Sequence, residues 1–118
     1  MDYEDTATPH EIHKYQQRVD SITYASTITR PDNAQASSFL ARYNTNPSPD
    51  HLRAVNHNLV YLLTICFYAL EYSGAIEGQR VFMAASDALY TNNVSIRYST
   101  KGYLFQLFEG TIDYKCIK

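Results

Sequence analysis

The feature that most constrains this chain is a helix written between residues 48 and 67. Ser48 can serve as an N-cap hydroxyl and Pro49 fits the first turn, where its missing N–H costs nothing. Leu52, Val55, Leu59, Leu62, Leu63, Cys66 and Phe67 then recur at helical spacing. An apolar stripe of that width needs a partner layer, so the rest of the chain has to supply one. The stripe predicts that Leu59, Leu62, Leu63 and Phe67 face inward and that Cys66 is a buried small side chain.

Two further helices are written upstream. Thr8-Pro9-His10-Glu11 has the form of a capping box, a hydroxyl cap followed three residues later by Glu. Ile12, Tyr15, Val19, Ile22 and Ser26 follow on one face. Pro31 should end this helix, because a residue before proline is pushed out of the α region. Pro31-Asp32 can open the next helix, with Ala36, Phe39, Leu40 and Tyr43 sharing a face, and Asn44 to Pro49 reads as a turn.

The last third has a different grammar. Ala69 to Tyr72 is a short candidate strand, and Ser73 to Gly78 a loop. Arg80 to Ala85 reads as a strand leading into Ser86-Asp87, so that Asp87 sits at a strand end. From Ser95 to Phe108 the pattern alternates in part, with Tyr103, Phe105 and Leu107 on one face and Leu104, Gln106 and Phe108 on the other. Glu109-Gly110 supplies a tight turn, with Gly110 free to take positive φ, and Thr111 to Cys116 returns. The fold class is α+β: three N-terminal helices, then an antiparallel three-stranded meander.

Composition narrows the chemistry. Of 118 residues, 45% are hydrophobic and 19% charged, which describes a globular chain. No apolar run approaches the roughly 20 residues of a membrane span, and the acidic start is unlike a signal peptide, so an intracellular location, cytoplasm or nucleus, is expected. The net charge is −2 and no dense basic stripe marks a nucleic-acid surface. Two cysteines make neither a disulfide framework nor a metal site. His51 and His57, six apart, read as solvated or capping histidines rather than a metal pair. Asp87, read from the residues alone, is a strand-end or turn aspartate.

Tyr24-Ala25-Ser26-Thr27-Ile28-Thr29-Arg30-Pro31-Asp32 resembles a signature of copia-type retrotransposon polymerases, found just after the reverse transcriptase palm. Phe39-Leu40-Ala41-Arg42-Tyr43, Asn46-Pro47-Ser48-Pro49-Asp50-His51-Leu52 and Val60-Tyr61-Leu62 follow in register with that family. So do Ala84-Ala85-Ser86-Asp87-Ala88, Arg97-Tyr98-Ser99-Thr100-Lys101-Gly102-Tyr103 and Leu107 to Lys115, the last in a form that looks fungal. The resemblance covers roughly residues 13–118. Any one of these motifs is weak, but chance matches multiply down when seven keep their order and gaps.

Residues 1–12 read as an acidic N-terminal tail, and the resemblance implies a helical thumb or connection segment over 13–72 and the N-terminal part of a ribonuclease H-like domain, incomplete, over 80–118. The meander is then the start of a ribonuclease H-like sheet. It also implies that Asp87 is the first of several carboxylates that hold two Mg²⁺ ions in the family, and that the ligand of interest is an RNA–DNA hybrid. The family's next acids lie beyond the position matching Lys118. Asp87 is therefore a catalytic and metal-ligating residue by resemblance only, vestigial and weak, and no cofactor is expected of this chain by itself. Departures point to decay: Asp20 and Glu109 stand where the family has glycine, Asn33 where it has an apolar anchor, and Thr91-Asn92-Asn93 where it has Ala-Asp. The expected function is a fragment of a copia-type polyprotein without activity of its own. The alternatives are a slice of a longer active polymerase and ribonuclease H polyprotein, or a co-opted module binding nucleic acid or protein. An uncovered strand around Val81 to Ser86 also predicts self-association through a sheet edge.

Overall fold

The computed structural model describes residues 6–72, 81–89 and 99–117. Helix α1 (Pro9–Ile28) is followed by a 3₁₀ turn (Pro31–Asn33), helix α2 (Ala34–Leu40), a second 3₁₀ turn (Ala41–Tyr43) and helix α3 (Pro49–Thr64). Strands β1 (Phe82–Leu89), β2 (Thr100–Leu107) and β3 (Gly110–Ile117) form one antiparallel sheet in the order β1-β2-β3. The α+β architecture read from the sequence is the one found.

Both proposed caps are present. The Thr8 hydroxyl accepts from the Glu11 N–H and the Glu11 carboxylate accepts from the Thr8 N–H, at 3.3 and 2.9 Å. Ser48 accepts from the His51 N–H, and His51 Nδ1 accepts from the Ser48 N–H at 3.0 Å. The three helices pack as one unit around Tyr15, Val19, Ile22, Leu40 and Val55, with Tyr43, Leu52, Leu59 and Leu62 against them. The buried Tyr15 hydroxyl donates to the Leu40 carbonyl at 2.8 Å, which ties α1 to α2.

The stripe on the third helix is corrected at its C-terminal end. Leu63 is 72% exposed, Phe67 96%, and Cys66 is exposed. Helix α3 stops at Thr64, so the helical period no longer governs residues beyond it. Leu63 sits on the shoulder of the stripe, past the surface that α1 and α2 cover. The second helical segment departs in a similar way. Changes between 3₁₀ and α winding rotate its inner face onto Asn33, Ser37 and Leu40, and Phe39 turns out to solvent.

Asn33 is no lost anchor. It is 2% exposed and exchanges two amide hydrogen bonds with Asn58 of α3, at 3.1 and 2.7 Å. A buried amide is tolerable when its donors and acceptors are met, and this pair meets them mutually.

In the sheet, Asp87 lies inside β1, opposite Gly102, and does not end the strand. Residues 95–98 of the expected second strand, residues 73–78 of the expected loop, and Arg80 lie outside the described residues. Ala69 to Tyr72 is irregular rather than a strand. The Tyr72 ring lies against Gly110, where an added Cβ would fall 2.1 Å from a ring carbon, and its hydroxyl donates to the Thr111 carbonyl at 2.6 Å. Gly110 is needed for that close approach, not for its φ.

The hairpin between β2 and β3 turns on Phe108 and Glu109, with φ of 47° and 66°. A two-residue hairpin with both central residues left-handed is the type I′ geometry, which normally takes Gly or Asn. Glu109 therefore holds a conformation that costs an L-residue roughly 1–2 kcal/mol. Glu109→Gly relieves that cost while loosening the unfolded chain. The expected net gain is about 0.5–1 kcal/mol, read as a higher midpoint in a thermal melt; an unchanged or lower midpoint would mean the turn is unstrained.

Candidate functional site

Asp87 opens onto a cleft of about 410 Å³ between the sheet and the helical layer. Its floor is the sheet face that carries Ala85, Asp87, Leu104, Tyr114 and Cys116; its wall is Pro31, Ala34 and Gln35. Gly102 pairs with both Asp87 and Cys116, so the strand beside Asp87 offers backbone and no side chain there. The carboxylate has room, and it is exposed. Lys115 is the other charged residue on the cleft lining.

A pair of divalent ions needs several converging carboxylates. Among the described residues no group of three or more His, Cys, Asp and Glu side chains could hold a metal ion. Among the described residues the lining around Asp87 adds hydroxyl and thiol groups and Lys115 but no second carboxylate. These residues do not fit the two-ion centre that the resemblance attaches to Asp87.

A second cleft of about 480 Å³ adjoins the first and is bounded by Thr23, Ser26, Ser37 and Ser38 on the helices and by Asp113, Tyr114 and Lys115 on β3. Several of these hydroxyls are already engaged: Thr23 with Ser37 at 2.9 Å, and Ser26 donating to the Thr23 carbonyl at 3.0 Å. Burial pushes the Tyr114 hydroxyl above the ordinary tyrosine value.

The histidines settle as caps and surface. His51 stacks on Tyr43 with ring centroids 3.7 Å apart. Burial first, and then nearby positive charge, holds it below the ordinary histidine value, so neutral His51 keeps Nδ1 free to accept the capping bond. His57 is exposed on α3.

Residue-by-residue reading missed what Arg30-Pro31-Asp32 does. Arg30 Nη1 donates to the carbonyls of Ile65 and Tyr68, at 3.2 and 3.1 Å, just past the end of α3. Its Nη2 donates to Asp32 at 3.2 Å, and the Tyr61 hydroxyl donates to the same Asp32 oxygen at 2.6 Å. That bond, with burial second, raises Tyr61 above the ordinary tyrosine value. A guanidinium at a helix C-terminus answers both the free carbonyls and the negative end of the dipole. The motif is thus a joint that fastens α1 to the end of α3. Its sequence signal was a cation directly before a helix-stopping proline.

No family model matches the chain, and no solved structure matches it. Two curated proteins are similar to it. A Plasmopara viticola protein named secreted RxLR effector protein 161 is 36% identical over 104 residues, covering 88% of this chain and 72% of that protein. A retrovirus-related Pol polyprotein from transposon TNT 1-94 of Nicotiana tabacum is 32% identical over 101 residues, covering 86% of this chain. The chain spans only 7% of that polyprotein's length.

Proposed function

We propose, from the premise that this chain belongs to the family of the Plasmopara viticola secreted RxLR effector protein 161 and is related to a retrotransposon Pol polyprotein, that it is a copia-type polyprotein segment from the reverse transcriptase and ribonuclease H region without hydrolytic activity of its own. Each of the two relatives matches more than four-fifths of this chain, so their matches overlap over most of it. A shared Pol-derived origin accounts for that overlap under two such different names.

The observation that carries the reading is the solitary carboxylate of the cleft. Asp87 is placed on strand backbone, where a metal-ligating acid would be useful, but among the described residues the lining of its cleft holds Lys115 and no second acid. The chain's part in the fold is then structural: a helical unit clamped by Arg30, with a three-stranded sheet docked on it. In this reading it resides in the cytoplasm or nucleus, and an RNA–DNA hybrid is the ligand that its ancestry suggests. No helix among the described residues is long and apolar enough to cross a membrane.

The test is hydrolysis of a labelled RNA–DNA hybrid in Mg²⁺ or Mn²⁺. Product should stay at the buffer background for the wild type and for Asp87→Asn alike. Turnover that vanishes in Asp87→Asn would overturn the reading.

A second reading is a co-opted module that binds nucleic acid or protein; the first relative is named an effector rather than a polyprotein. Saturable hybrid binding that weakens steeply with salt, with no turnover, would favour it.

A further inference from the structure

The sheet has two edges, and they are finished differently. On β3 the register slips between Phe105 and Gln106, leaving Ile112 as an extra residue, with Asp113 beside the bulge and Lys115 two residues further along. Tyr72 further closes this strand by bonding the Thr111 carbonyl. A bulge, charges and a covering side chain are the usual devices that stop an edge from pairing. Among the described residues, strand β1 has neither a bulge nor a covering side chain, and its one charge, Asp87, lies toward its C-terminal end. Its register with β2 is continuous from Phe82 to Leu89, it contains no proline, lysine or arginine, and residues 81–88 are all exposed. Val81, Phe82 and Met83 are apolar and 56%, 58% and 40% exposed.

The outward hydrogen-bonding groups can be assigned. The Phe108 N–H donates to the Val81 carbonyl at 2.9 Å, so Val81 bonds toward β2. Antiparallel ladders alternate, hence Met83, Ala85 and Asp87 also bond toward β2, while Phe82, Ala84, Ser86 and Ala88 direct their N–H and C=O outward.

We infer that β1 is a homodimer edge: a second copy of this chain pairs its own β1 antiparallel across a two-fold axis at Ala85, making one six-stranded sheet. In that register Ala84 and Ser86 exchange hydrogen bonds with Ser86 and Ala84 of the second copy, and Phe82 and Ala88 do likewise. The size match is what selects this occupant. Phe82 falls opposite Ala88, Met83 opposite Asp87, Ala84 opposite Ser86, and Ala85 opposite itself, so between residues 82 and 88 each long side chain meets a shorter one. The charge match agrees. Asp87 is the strand's sole charge, and the two copies of it lie about 14 Å apart along the ladder, so no like charges meet. The axial Ala85 pair is a non-hydrogen-bonded site, where Cα atoms approach to about 4.5 Å and small side chains fit best.

Sedimentation of the full chain at tens of micromolar should give a dimer. Ala84→Pro removes only an outward N–H and blocks the edge, a position where an edge strand accepts proline. It should sediment as a monomer with unchanged far-UV dichroism. Should that variant unfold, the register has a second test. With Cys66 and Cys116 replaced by serine, Ala85→Cys should oxidise readily to a covalent dimer, and Ala84→Cys, whose partner is Ser86, should not. A monomeric wild type over the same range, a dimer that survives Ala84→Pro, or equal crosslinking at the two positions would overturn the inference.

Discussion

Arg30→Ala should lower the stability of the helical unit by about 2–4 kcal/mol, the loss expected when a mostly buried guanidinium with charge-assisted hydrogen bonds is deleted. The Arg30 side chain is 13% exposed, so little water stands ready to replace it. Its removal leaves the Ile65 and Tyr68 carbonyls at the end of α3 without their donor. The ion pair with Asp32 contributes less, since Asp32 is 40% exposed and screened. For a chain of this size such a loss lowers the melting midpoint by roughly 6–20 °C. Arg30→Lys should fall between the two, because an ammonium lacks the planar fork that serves carbonyls on one side and a carboxylate on the other. A change below about 0.5 kcal/mol, in the range of ordinary surface substitutions, would show that the joint does not hold the helices.

The second large effect belongs to the core. Ile22 is fully buried among Tyr15, Val19, Leu40 and Val55, and Ile22→Ala should cost about 2–5 kcal/mol in denaturant melts. Leu63→Ala, in an equally apolar-looking position of the sequence, should cost less than about 0.5 kcal/mol because the side chain is already 72% exposed. Equal losses at the two sites would mean that the α3 shoulder is covered.

That contrast shows where reading residues in order succeeds. Local chemistry is legible. The hydroxyl caps at Thr8 and Ser48 and the proline stop after Arg30 depend on neighbours a few residues away, and they stand where expected; the strand bounds are less legible, since β1 runs on to Leu89. The core face of α1 was legible too, because that helix is long and its stripe unbroken. What failed depended on distant partners. Whether Leu63, Cys66 and Phe67 are inside is decided by where α1 and α2 end over α3, which the period of α3 does not encode. Asn33 looked like a polar residue stranded in an apolar place, and only the approach of Asn58 from 25 residues away makes it a satisfied pair. The hairpin needed two left-handed residues, and the one glycine nearby drew attention away from Phe108 and Glu109.

The candidate site divides the same way. Asp87 came to notice by resemblance and does stand on a strand facing a cleft, but whether other acids join it is a question of three-dimensional company. Arg30 and Asp32 came to notice through the same resemblance. Their hydrogen bonds give them a structural role that spacing alone did not suggest.

Hybrid hydrolysis with protein in excess over substrate decides whether the lone Asp87 can support cleavage, since even one slow turnover then leaves cut product. Cleavage should be identical and at background for wild type and Asp87→Asn across a Mn²⁺ titration. Metal-dependent cleavage by the wild type that disappears in Asp87→Asn would contradict that expectation.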